Sequence, residues 1–145
     1  MRTRKVIFTG MLILVAMGVA ACGAFRAFAV TPKDCTRPGL CEVDVVANGC
    51  SPMPANDPVR IDKSGGAIEI RWTAPDGFVF TSDGITFTPP SRVIDERPGI
   101  QQGGARWMVV DRPNREEVIS KYRIKLQSTS QGTICTGPDP FITNQ

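Results

Sequence analysis

From residue 30 to the C-terminus, 12 prolines and 11 glycines occupy 23 of 116 positions. Proline removes a backbone donor and glycine carries a high entropy cost inside regular structure, so punctuation this dense leaves little room for long helices. What lies between the breakers has period two, the spacing of half-buried strands. In Cys41–Val46, Val43 and Val45 face one way and Glu42 and Asp44 the other. Ile68, Ile70 and Trp72 alternate with Ala67, Glu69 and Arg71. Phe78 and Phe80 point together, as do Ile85 and Phe87 after Ser82-Asp83-Gly84, where the Asp-Gly pair predicts a hairpin turn. Trp107 shares a face with Val109, and Val118, Tyr122, Ile124 and Leu126 share another, opposite Lys121, Arg123, Lys125 and Gln127. Thr133–Thr136 reads as a last strand, and Phe141 as a cap on one end of the domain. Only Arg115–Ser120 hints at helix. The reading is all-β: a small antiparallel β-sandwich of Ig-like shape, with about seven or eight short strands, after an N-terminal signal helix. Cys50, Trp72 and Cys135 follow in the order of an immunoglobulin domain, but the residue two before Cys135 is Thr133 and not tyrosine, so that family is not indicated.

The first segment, 1–29, reads as a signal peptide or a membrane or lipid anchor, and 30–145 as a single disulfide-stapled domain. Arg2, Arg4 and Lys5 form a positive start, and Val6–Ala21 is almost uninterruptedly apolar. Ala27-Phe28-Ala29 suits cleavage before Val30. Val19-Ala20-Ala21-Cys22 also resembles a lipobox, which would place lipid on Cys22, and counted on to Phe25 the apolar run reaches about 20 residues, enough to span a bilayer uncleaved. Beyond residue 30 the chain carries 13 basic and 14 acidic residues, a net charge of −1, so the +3 of the whole chain comes from the leader. A near-neutral domain lacks the footprint of a nucleic-acid binder, and contact with a membrane is expected only through the N-terminal segment.

Four cysteines remain beyond the leader: Cys35, Cys41, Cys50 and Cys135. Thiolate metal sites favour closely paired cysteines, whereas the spacings here are 5, 8 and 84 intervening residues. An even number in an exported chain implies disulfides, with three pairings open. The Pro38-Gly39 turn favours Cys35 with Cys41, leaving Cys50 for Cys135.

The chain contains no histidine, which removes the commonest general base and metal ligand together. Ser120-Lys121 lacks dyad spacing, and there is no G-x-S-x-G elbow, calcium loop or phosphate-cradling glycine loop. Asp95-Glu96 and Glu116-Glu117 are the available paired carboxylates, though strand neighbours point to opposite faces. No catalytic residue, metal or cofactor is expected.

The remaining expectation is recognition. Asp95–Gly104 is the longest irregular stretch, polar and flexible, and loops on a rigid scaffold carry binding. Arg97, Gln101, Gln102, Arg106 and Trp107 form the candidate binding loop, although core packing is the favoured role for Trp107 and recognition the alternative; Arg and Trp are frequent hot-spot residues. The basic row Lys121, Arg123 and Lys125 is a second candidate, for an acidic glycan or anionic headgroup, against the plainer role of a wet outer face. The chain therefore reads as an exported, non-catalytic binding or structural module of the periplasm or cell surface, contacting another exported or envelope protein. The alternatives are a small secreted hydrolase or accessory enzyme using carboxylates, and a secreted inhibitor.

Overall fold

The computed structural model describes residues 31–62, 65–113 and 116–145. Segment 1–29, expected to be a leader, lies outside the described residues with Cys22, as does Arg115. The described chain is all-β. Its strands are β1 (Lys33–Cys35), β2 (Gly39–Asn48), β3 (Ser51–Pro54), β4 (Val59–Ile61), β5 (Ile68–Thr73), β6 (Phe78–Phe87), β7 (Ile94–Gln101), β8 (Arg106–Asp111), β9 (Val118–Ser128), β10 (Ile134–Thr136) and β11 (Phe141–Asn144). A single 3-10 turn, Gln102–Gly104, joins β7 to β8.

Two sheets form. One runs β3-β2-β5-β8-β7. The other runs β1-β4-β11-β9-β10, with β6 on the opposite flank of β9. Both are mixed, which corrects the antiparallel expectation: β1 with β4, β4 with β11 and β2 with β5 are parallel pairs. Parallel neighbours need a crossover. Here the other sheet supplies it, because the chain passes from β1 to β2 and β3, back to β4, over to β5 and back to β6.

The dry faces of the two sheets meet in one cluster. Trp72 on β5 packs its ring 5.2 Å from that of Tyr122 on β9, and its Nε1 donates to the Tyr122 hydroxyl at 3.3 Å. Phe80 on β6 meets Trp107 on β8 at 6.1 Å. Ile68, Ile70, Val43, Ile124, Leu126 and Ile142 complete the buried centre. Sealing the Tyr122 hydroxyl from water disfavours its phenolate and pushes its pKa far above the usual tyrosine value.

Several local expectations are corrected. Ser82-Asp83-Gly84 is no hairpin turn but a bulge within β6, where the pairing with β9 shifts between Phe80 and Ile85. Phe80 and Ile85 are five residues apart, so an unbroken strand would turn them to opposite faces; the bulge returns both to the core. Gly84 is required in it, since a Cβ there would lie 2.7 Å from that of Phe80. Asp95–Gly104 is not an irregular loop. Ile94–Gln101 pairs with β8 around a second bulge, between Asp95 and Gly99. The end of the suggested helix, Val118–Ser120, opens β9 instead. Phe141 lies half-buried in β11, which enters between β4 and β9 and was not foreseen as a strand. Disulfides join Cys35 to Cys41, with Cα atoms 5.6 Å apart, and Cys50 to Cys135, at 4.7 Å.

Candidate functional site

Trp107 pairs with Trp72 across β5 and β8, so both indoles face inward. Its side chain is buried, its ring lies against Gly99 and Phe80, and its Nε1 has no hydrogen-bond partner. Trp107 is thus core, as favoured, and its alternative place among the recognition residues is corrected. Gln101 and Arg106 are register partners and half-buried, and exposed Gln102 follows with a positive φ of 48°. Arg97 stands apart at the bulge. Its Nε and Nη2 bind the Asp95 carboxylate at 3.1 and 3.3 Å, and Arg112 Nη2 binds it at 2.8 Å. Arg97 first and Arg112 second hold the Asp95 carboxyl far below the usual range.

The basic row lies on the outer face of β9, but two of its three charges are matched. Arg123 grips Asp139 through Nε and Nη2 at 2.9 and 3.2 Å, and Lys125 pairs with Asp83. Both aspartates titrate below their ordinary value because of these hydrogen bonds. Lys121, also exposed, acts on Asp139 through its charge.

The densest cluster of polar groups was not foreseen. Arg37, in the turn closed by Cys35–Cys41, is buried against β8 and β11. Its Nη2 binds Asp111 Oδ1 at 2.7 Å, its Nη1 donates to the carbonyls of Gly66 and Asp111 at 3.0 and 3.1 Å, and its Nε donates to that of Asp62 at 2.5 Å. Asn144 Nδ2 donates to the same carboxylate at 2.8 and 3.2 Å. Neither charged side chain touches solvent. Burial raises the Asp111 pKa, opposed by the hydrogen bonds from Arg37 and Asn144. Groups so sealed cannot meet a substrate; they tie the N-terminal turn to both sheets. Of the paired carboxylates, Asp95 is held by two arginines while Glu96, Glu116 and Glu117 are exposed.

The surface feature with most scope for recognition is a groove of about 540 Å3 between the β6–β7 crossover and the start of β9. It is lined by Thr88, Pro89, Pro90, Ser91 and Arg92 on one side and by Val118, Ile119, Ser120 and Lys121 on the other. The Ser91 and Ser120 hydroxyls meet at 2.8 Å and pin the crossover to the strand. Ile119 is 60% exposed, more than any other large apolar side chain described. It was missed in the sequence, although an apolar residue in the wet phase of Ile119, Lys121, Arg123, Lys125 and Gln127 was the available signal.

The strand edge here is also open. Strand residues send N–H and C=O alternately to the two flanks. Tyr122 N–H donates to Pro140 and the Ile124 carbonyl accepts from Gly137, both on the β10–β11 flank; the Lys121 carbonyl accepts from Thr88 on the β6 flank. Alternation therefore turns the Ile119 N–H and C=O toward β6, whose last ladder partner is Phe87, opposite Tyr122. No described strand continues beside Ile119. Edges elsewhere are blunted: β3 carries Pro52 and Pro54, β1 and β10 have three residues each, β6 is bulged, and β7 is bulged and charged. No family model matches this chain, and no curated protein is detectably similar to it.

Proposed function

We propose that this chain is an exported interaction module of the periplasm or cell surface, in which the two sheets pack as a β-sandwich behind a cleaved or anchoring leader at 1–29. Two disulfides suit an oxidising compartment. Among the described residues no helix is long and apolar enough to cross a membrane. The observation that carries the reading is the groove at β9, where exposed Ile119 and an open strand edge lie beside Pro89 and Pro90. The partner is another envelope or exported protein.

The test is capture, with cross-linking, from the cell envelope in which the chain is made, using the full chain as bait. Two variants accompany it: Ile119→Asp, and Arg97, Gln101, Gln102 and Arg106 replaced together by alanine. A module reading through the groove predicts a specific cross-linked protein lost with Ile119→Asp and kept by the quadruple variant. Loss with the quadruple variant alone would move the site to the β7–β8 end. No specific cross-linked protein for the parent would end the module reading.

A further inference from the structure

The groove's chemistry narrows its occupant, on the premise that the chain is an interaction module. The lining offers three things at once: the main-chain N–H and C=O of Ile119 on an open flank of β9, apolar surface from Ile119, Pro89 and Pro90, and two exposed cations, Arg92 and Lys121, with no carboxylate among the lining residues. Open main chain selects an extended partner strand, because only an extended backbone presents an acceptor and a donor at the spacing of the ladder. The exposed Ile119 selects an apolar, β-branched side chain opposite it. Arg92, and Lys121 even though it shares the field of Asp139, favour a carboxylate nearby and reject a lysine there.

We infer that the groove takes an extended peptide segment of a protein partner, apolar at the residue facing Ile119 and bearing an aspartate or glutamate within reach of Arg92 and Lys121. The segment lies along β9 where β6 has ended and adds a short strand to the sheet. Pro89 and Pro90 wall the far side and limit the addition to a few residues. That restriction explains how an open edge can coexist with the blunted edges of the remaining strands: it is too short and too hemmed in to template a second copy of the sheet.

The test uses the protein recovered from its envelope, isotopically labelled, and three blocked nine-residue peptides of alternating valine and threonine. One has a central glutamate, its twin a central lysine, and the third carries the glutamate with N-methylated valines, which cannot complete a ladder. In the free protein the Ile119 amide should exchange with solvent at least tenfold faster than that of Ser120. The glutamate peptide should shift the Ile119 and Lys121 amides and bind at least tenfold more tightly than the lysine twin. The N-methylated peptide should not bind. Ile119→Asp should abolish binding, and Arg92→Ala with Lys121→Ala should erase the preference for glutamate.

Equal protection of the Ile119 and Ser120 amides would overturn the inference. So would equal affinity for the charge twins, shifts centred on Gln101–Arg106, or no binding of the glutamate peptide at millimolar concentration. Vesicles of anionic phosphatidylglycerol form a parallel arm; binding to them that survives Ile119→Asp, with no peptide binding, would assign the cations to a lipid surface instead. If the peptides fail while envelope capture succeeds and is indifferent to Ile119→Asp, this inference falls and the module reading stands.

Discussion

Replacing Arg37 by methionine isolates the buried tie between the N-terminal turn and the two sheets. The substitution keeps much of the aliphatic stem but removes every donor. The Asp111 carboxylate is left with Asn144 alone, and the carbonyls of Asp62, Gly66 and Asp111 each lose an Arg37 donor. Removing one partner from a buried ion pair costs about 3–5 kcal/mol, because the other charge stays in a place water cannot reach. Against a typical total of about 5–15 kcal/mol, that is a large share of the stability of a domain this size. Urea unfolding of the disulfide-intact protein, followed by the fluorescence of Trp72 and Trp107, should show a midpoint lower by about 2 M at an ordinary slope. Adding Asp111→Asn should recover part of the loss, since the amide oxygen still accepts from Asn144 and the stranded charge is gone. The pH dependence has a definite sign. Burial already raises the Asp111 pKa, and Arg37 is one of the groups restraining the rise. Without Arg37 the folded carboxyl titrates higher still. A group raised on folding contributes stability that is present in acid and lost as pH climbs through its folded value. The deficit of Arg37→Met should therefore grow as pH rises above the ordinary carboxylate range, about 4, and should not grow with Asp111→Asn in place. A deficit below about 1 kcal/mol, or a further loss on adding Asp111→Asn, would refute the assignment of this pair as the tie.

Three further outcomes are expected. Trp72→Ala should cost about 3–5 kcal/mol in the same unfolding assay, because the ring is fully buried and the Tyr122 hydroxyl loses its donor. Alkylation of the denatured, unreduced protein should label none of Cys35, Cys41, Cys50 and Cys135, and mass mapping should find the two bridged peptides. Asp83, Asp95 and Asp139 all titrate below their ordinary value through hydrogen bonds to Lys125, to Arg97 and Arg112, and to Arg123 respectively, so their contribution is present above about pH 4 and lost as pH falls further; Asp139→Asn should remove part of that decline, and added salt should weaken it.

Legibility in the sequence followed the reach of each interaction. Ile68, Ile70 and Trp72 alternate without interruption, and the structure buries all three. The same holds for Tyr122, Ile124 and Leu126. These strands could be read because their pattern depends only on which face is dry. The β6 bulge could not, since the odd spacing of Phe80 and Ile85 looks like two strands and a turn until the partner β9 is known. Pro98 and Gly99 hid β7 in the same way, by placing breakers where the strand bulges. Strand β11 had no signal of its own. Its Asn144 is buried only because Asp111, 33 residues earlier, offers a carboxylate, and Asp111 is buried only because Arg37, 74 residues earlier, neutralises it. A chain of mutual dependence that long leaves no trace in local periodicity. Parallel pairing was equally hidden, because it depends on which sheet each successive strand joins.

The magnitudes available at the groove determine what kind of binding it can support. Fully burying an isoleucine yields about 1.5–3 kcal/mol, and Ile119, at 60% exposure, has the larger part of that to gain. One or two main-chain hydrogen bonds add about 1 kcal/mol each, and a surface ion pair up to about 1 kcal/mol. The Ser91–Ser120 contact holds the wall in place before any ligand arrives, which keeps the ordering cost on the protein side low. Before the entropy cost of association these gains amount to only about 3–6 kcal/mol, so a short peptide can bind no more tightly than about the millimolar mark. A single docking event would thus be brief. Sustained capture requires a second point of attachment, and an N-terminal anchor in the membrane would provide it by confining chain and partner to one surface, raising the effective concentration by orders of magnitude without any new contact at the groove. If the leader is retained in one form and cleaved in another, the two would differ in function as well as in location: envelope capture should be strong for an anchored form and nearly absent for a soluble one, while both give the same weak peptide affinity. Equal envelope capture by the two forms would show that contacts elsewhere on the domain, and not tethering, supply the affinity.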